Sequence, residues 1–146
     1  MSKQHRQTGF SLIELLIVVV IIGIVAAVSV PMYQKGIRAA ENSTTFATLR
    51  AAGSTQTMFY SQNSRFGRLT ELQGMMGNGM GVTVPPRVIR GRYVFEMTPV
   101  NPTDAELASG YIITATRSVA SEDIVFKYEL TESGKIVQIL PAGAPE

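Results

Sequence analysis

Between Gly9 and Pro31 the chain reads GFSLIELLIVVVIIGIVAAVSVP, an apolar run of membrane length that carries a single carboxylate, Glu14. An acid at that depth in hydrocarbon costs about 2.5–3.5 kcal/mol on insertion scales, so it needs a partner. Leu12 to Val30 is 19 residues. As a helix rising ~1.5 Å per residue, that stretch covers roughly the hydrocarbon thickness of a bilayer. The preceding residues hold Lys3, His5 and Arg6 and no acid, a bias that keeps this end in the cytoplasm and sends the rest outward. A secretory signal peptide starts in the same way, and Val25-Ala26-Ala27 or Ala27-Val28-Ser29 would suit its cleavage site. Two features argue against it: the apolar core exceeds the ~7–15 residues of a signal peptide, and Glu14 stands at its very start.

The hexapeptide Gly9-Phe10-Ser11-Leu12-Ile13-Glu14 resembles the processing site of type IV pilins and the related pseudopilins. The resemblance covers roughly the first 60 residues, including Gly23 and Pro31, which fall where that family places its helix-loosening Gly and Pro. Ser11 stands where many members have Thr. What it implies is a prepilin, cut after Gly9 by a membrane peptidase, N-methylated at Phe10 and polymerised from the inner membrane as the structural subunit of a pilus. The implied partners are further copies of the chain through the N-terminal helix, the prepilin peptidase, an inner-membrane assembly platform with its ATPase, and lipid before assembly. The implied locations are the inner membrane for the precursor and a surface pilus, or a periplasmic pseudopilus, for the polymer. Two alternatives stay open: a pseudopilin of a type II secretion or competence system, and a membrane-anchored binding module that never polymerises.

The chemistry of that site can be followed without the family. Cutting after Gly9 leaves an ammonium on Phe10, four positions before Glu14. The amine can meet the acid of its own helix or that of a neighbouring helix displaced along a bundle; the resemblance implies the second. In a low-dielectric setting such pairing fixes register between copies more than it adds stability. The rival reading has Glu14 satisfied by lipid headgroups. The excess of basic residues, 13 against 11 acids, lies in Lys3 and Arg6 of the leader, so a chain starting at Phe10 is neutral. A nucleic-acid function read from overall charge is thereby weakened. One basic cluster remains, Arg87, Arg90 and Arg92 after Pro85-Pro86, which can contact nucleic acid, an acidic surface or a neighbouring copy, or be a solvated loop.

There is no Cys, and the only His is His5 in the leader. Thiol chemistry, disulfides and His- or Cys-based metal sites are thus excluded from the trimmed chain. No Ser-His-Asp set or phosphate-cradling Gly motif is present, and no cofactor or enzymatic activity is expected. Glu122-Asp123 is a thin calcium candidate, and Asp104 and Glu106 read as turn acids. The Met75, Met76 and Met80 group reads as adaptable packing rather than a soft-metal site. Phe10, Tyr33, Phe46, Phe59 and Tyr60 along the helix are explained by packing rather than by electron conduction.

The expected architecture is α+β. Residues 1–9 form the leader, 10–30 the membrane and assembly half of a long helix, and 31–61 its amphipathic half. Ala39, Phe46, Leu49, Gly53 and Tyr60 make a stripe for packing, with Lys35, Arg38, Glu41 and Arg50 on the opposite face. Pro31 lacks an N–H and is expected to loosen the helix. Residues 62–92 read as a connecting loop, with a short helix near Leu69 to Met76 capped by Thr70. Residues 93–140 carry three or four antiparallel strands, with Glu132-Ser133-Gly134 as a turn, laid on the helix, and 141–146 form a tail.

Overall fold

The computed structural model describes residues 9–119 and 124–140. The leader charges Lys3, His5 and Arg6, the Glu122-Asp123 pair and the tail lie outside the described residues. The chain forms two compact units that divide inside the first helix, between Ala40 and Glu41. Helix α1 runs from Leu12 to Asn63 with Pro31 inside it.

In the second unit, α1 buries Thr45, Thr48, Leu49, Ala52, Gln56 and Phe59. These positions follow the 3- and 4-residue spacing of one helical face, but that face is rotated by about one position from the expected stripe. Leu49 lies on both; Phe46 and Gly53 sit at its margin, and Tyr60 and Ala39 are exposed. The reason is chemical. Thr45 and Thr48 are buried despite their hydroxyls, Thr48 Oγ1 donating to the Thr44 carbonyl at 2.8 Å and accepting from Arg90 Nη1 of the sheet at 2.6 Å. Gln56 is buried because it fastens the chain to itself. The Gly67 N–H donates to Gln56 Oε1 at 2.6 Å, and Gln56 Nε2 donates to the Gly67 carbonyl at 2.8 Å. Gln56→Leu removes both partners from a buried backbone amide and is expected to cost about 2–4 kcal/mol, read as a lower denaturation midpoint.

Below that helix lies one antiparallel sheet in chain order, β1 Val82–Val84, β2 Arg87–Arg90, β3 Tyr93–Thr98, β4 Ile112–Val119, β5 Ile124–Thr131 and β6 Ile136–Leu140. Six strands replace the expected three or four. The extra pair, β1 and β2, comes from the stretch read as loop: its Gly and Pro density marks turns, with Pro85-Pro86 as the two-residue connection between Val84 and its partner Arg87. Gly91, at φ +59°, opens the next two-residue turn, where the hairpin twist requires a positive φ. Gly81 is set tightly before β1, since a Cβ there would run into the Ile89 carbonyl oxygen.

Alternation along the strands sends Tyr93, Phe95 and Met97 of β3, Ile113 and Ala115 of β4, and Tyr128 and Leu130 of β5 into the core with Leu49 and Ala52. Register lines these up as Val88–Phe95–Ala115–Tyr128 and Met97–Ile113–Leu130–Ile136 across neighbouring strands. Each large apolar side chain so buried contributes about 1.5–3 kcal/mol, a core able to hold without disulfides.

Two short helices add Leu69, Leu72 and Leu107 to the core. In α2, Leu69–Met75, the N-cap is Arg68 rather than Thr70. Arg65 grips Glu71 through two bonds of 2.9 and 2.7 Å, and the Arg68 N–H donates to the same carboxylate at 2.7 Å. Those contacts, the Arg65 bond foremost, hold the Glu71 carboxyl below its ordinary range. A lowered folded pKa stabilises above the unfolded value near 4.5 and is lost as pH falls through the folded value. Stability should therefore drop on acidification below that point, and Glu71→Gln should flatten that part of the profile. Helix α3, Asp104–Ser109, occupies residues read as a turn. It starts at a reciprocal cap, the Thr103 N–H donating to Glu106 Oε2 at 2.7 Å and the Glu106 N–H to Thr103 Oγ1 at 3.3 Å.

Candidate assembly helix

In the first unit, Gly9 and Phe10 are non-helical and α1 begins at Leu12. Every residue from Gly9 to Ile37 is exposed. Phe10 and Leu12 are each 86% exposed, and an 18-residue window of α1 with mean hydropathy 3.0 has none of its residues buried. Scattered exposed apolar residues are ordinary, but a whole helix of them is not. By length and composition this helix can cross a membrane.

The acid sits at its head. The Ser11 N–H donates to Glu14 Oε2 at 2.8 Å, and the Ile13 N–H donates to Ser11 Oγ at 3.2 Å. The Leu15 N–H reaches the Ser11 carbonyl at 3.2 Å, the first turn of the helix. Ser11 is thus the N-cap and Glu14 its reciprocal partner, a role that charge alone does not indicate but that the Ser-x-x-Glu spacing signals. Gly23 has open space where a Cβ would stand, so no contact within this unit demands its lack of a side chain.

The three arginines of the cluster have separate partners. Arg87 Nε pairs with Glu96 at 3.1 Å; Arg90 Nη1 donates to Thr48 Oγ1 at 2.6 Å and the Gly79 carbonyl at 2.8 Å; Arg92 lies 3.9 Å from Glu41. They lie on β2 and its turn, with intrachain partners, which counts against a nucleic-acid surface. Glu41, expected on the solvent face, instead approaches Arg117, whose side chain is fully buried, at 2.7 Å. Among the described residues no three acidic or His side chains gather as a metal site.

The motif family described as "prokaryotic N-terminal methylation motif" matches residues 4–30, the stretch holding the capped helix start and the exposed apolar run. A type IV major pilin protein PilE1 of Neisseria gonorrhoeae is 35% identical over 106 residues, 71% of this chain and 60% of that protein. The chain belongs to the type IV pilin family. The fimbrial protein EcpB of Eikenella corrodens is 47% identical over 53 residues, 36% of this chain and 31% of its own length. The type IV major pilin PilA of Myxococcus xanthus is 41% identical over 61 residues, 42% of this chain and 28% of its own length. The chain thus spans less than two thirds of the length of these relatives. No solved structure gives a significant match. As a pilin, the chain has the family's layout of a long N-terminal helix with an antiparallel sheet packed on its later part.

Proposed function

We propose that this pilin is a structural subunit, not an enzyme, made as a prepilin, cut between Gly9 and Phe10, methylated on the Phe10 amine and polymerised into a surface pilus. The observation that carries the reading is the wholly exposed apolar first half of α1, with one acid at its head, whose start lies inside the matched methylation motif. Held in lipid by Phe10 to about Val30, the helix loses little when equivalent helices replace lipid around it, since both surroundings are apolar. A machine driven by ATP can then move subunits in either direction. Repetition of one head-to-tail contact gives an open fibre.

Within that scheme the trimmed amine of Phe10 pairs with Glu14 of a neighbouring copy and sets the register. Gly23 and Pro31 loosen the helix as it leaves the bilayer, Pro31 by denying the Ala27 carbonyl its N–H partner. The partners are further copies, the prepilin peptidase, the inner-membrane platform with its ATPase, and lipid. The relatives named major pilins favour a pilus over a pseudopilus. N-terminal sequencing and mass measurement of the protein sheared from cells tests the scheme. N-methylated Phe10 is the expected start. Met1, or a start near Val28, overturns it in favour of an uncut anchor or a secreted module.

A further inference from the structure

The sheet of the second unit carries different chemistry at its two ends. Where β2 turns into β3, an open cleft of about 190 Å³ is lined by Glu41, Thr44, Thr45, Arg90, Gly91 and Arg92. At the opposite end, where β5 turns into β6, Glu132 stands exposed with no ion-pair partner among the described residues. We propose that this cleft is a docking site for a second copy of the chain, and that it takes the carboxylate of that copy's Glu132. Such a contact rests on the polymerising subunit proposed above.

Charge at the cleft is unbalanced. Glu41 serves two guanidiniums at once, its Oε2 2.7 Å from Nη2 of the fully buried Arg117 and its Oε1 3.9 Å from Nε of Arg92. Arg90, the third, bonds only neutral groups, Thr48 Oγ1 and the Gly79 carbonyl. Among the described residues one carboxylate thus answers three cations, and its nearer contact commits it to Arg117. Arg92 is left loosely held, its side chain 65% exposed. A guanidinium in that state presents a fork of donors that matches a carboxylate arriving from outside.

The other end of the sheet supplies that carboxylate. Glu71 and Asp104 are held by Arg65 and Arg68, and Glu106 is tied into the cap of α3, which leaves Glu132 as the unengaged acid of that end among the described residues. Its own cleft is out of reach. Arg90 pairs with Tyr93 at one end of the strands, and Thr131 pairs with Ile112 opposite Thr98 at the other, roughly 17 Å along the strands. A neighbour must therefore bring the acid. Cleft and acid on opposite ends make a contact between unlike surfaces, which repeats without closing.

The chain has no Cys, so introduced cysteines report the contact without background. Filaments sheared from cells carrying Arg92→Cys, Glu132→Cys or both are treated with a short bismaleimide. The double variant should give a ladder of covalent oligomers and each single variant monomers alone, because every contact joins one residue of each kind. Charge provides the second arm. Arg92→Glu and Glu132→Lys should each lower filament yield about tenfold by placing like charges together, with Phe10 still at the N-terminus, and the double exchange should restore it. Filaments of normal yield whose double cysteine variant gives no ladder overturn the contact and leave the pilus standing. Dimers from Arg92→Cys alone mean that cleft meets cleft, and a cross-link to a different protein assigns the cleft to another partner; either overturns it. A parent that makes no filaments overturns the pilus reading and this contact with it.

Discussion

Glu14→Ala should insert better, be trimmed as before, and yield about a hundredfold fewer filaments. The signs differ because, in the proposed assembly, the acid is a cost in one state and a partner in the other. In lipid, removing it relieves an insertion penalty of about 2.5–3.5 kcal/mol, offset in part by the lost cap. In the proposed fibre, removing it would strand the amine of a neighbouring Phe10 among apolar helices, and breaking one half of a buried pair costs about 3–5 kcal/mol. Since about 1.4 kcal/mol is tenfold, even the low end raises the concentration needed for polymer growth by about a hundredfold. Sheared surface fractions and membrane fractions, compared by immunoblot, read the shift directly. The variant should accumulate in the membrane with Phe10 at its N-terminus. Parent-like surface yield would remove Glu14 from assembly altogether.

What could be read from the sequence was whatever depends on local pattern. The apolar run, its one acid and the Gly9-Phe10 junction are contiguous, so they stood out at once. β3 and β5 were legible for the same reason: Tyr93, Phe95 and Met97 alternate with more polar neighbours, as do Tyr128 and Leu130, and alternation survives into the structure as burial. The errors share a different cause. Val82–Val84 and Arg87–Arg90 are too short for periodicity to speak, and the turn residues flanking them dominated the reading. The expected stripe on α1 rests on apolar residues alone, whereas Thr45, Thr48 and Gln56 are buried too, Thr48 and Gln56 with partners that lie elsewhere in the chain. Helix α3 was missed although Thr103-x-x-Glu106 is a cap signature, the same spacing overlooked at Ser11 and Glu14.

The pair least visible in the sequence joins residues on α1 and β4, and it gives the second large expected effect: Glu41→Ala should destabilise the sheet unit by about 3–5 kcal/mol. Continuing the inward alternation of Ile113 and Ala115 places Arg117 inside, its side chain without solvent exposure. Glu41 Oε2 lies 2.7 Å from its Nη2, close enough for an ion pair but not aligned as a hydrogen bond, and among the described residues Arg117 Nε and Nη1 have no hydrogen-bond partner. Charge therefore does what hydrogen bonding does not. The neighbouring phenol of Tyr93 is held neutral by burial, its pKa well above the ordinary value, and its hydroxyl donates to Asn42 Oδ1 at 2.6 Å instead. Among the described residues Glu41 is thus the countercharge for a guanidinium that cannot reach water. Removing the acid leaves that cation stranded. Removing the cation is milder, because the Glu41 side chain is 30% exposed and has Arg92 at 3.9 Å, so Arg117→Met should cost about 1 kcal/mol or less. The double variant should recover most of what Glu41→Ala loses, a coupling that separate, independent sites do not give. Near-UV circular dichroism of the tyrosines during denaturation of detergent-solubilised protein measures all three midpoints. Equal midpoints for Glu41→Ala and the parent would mean that Arg117 is neutralised by other means, and that the helix is held to the sheet by its apolar contacts alone.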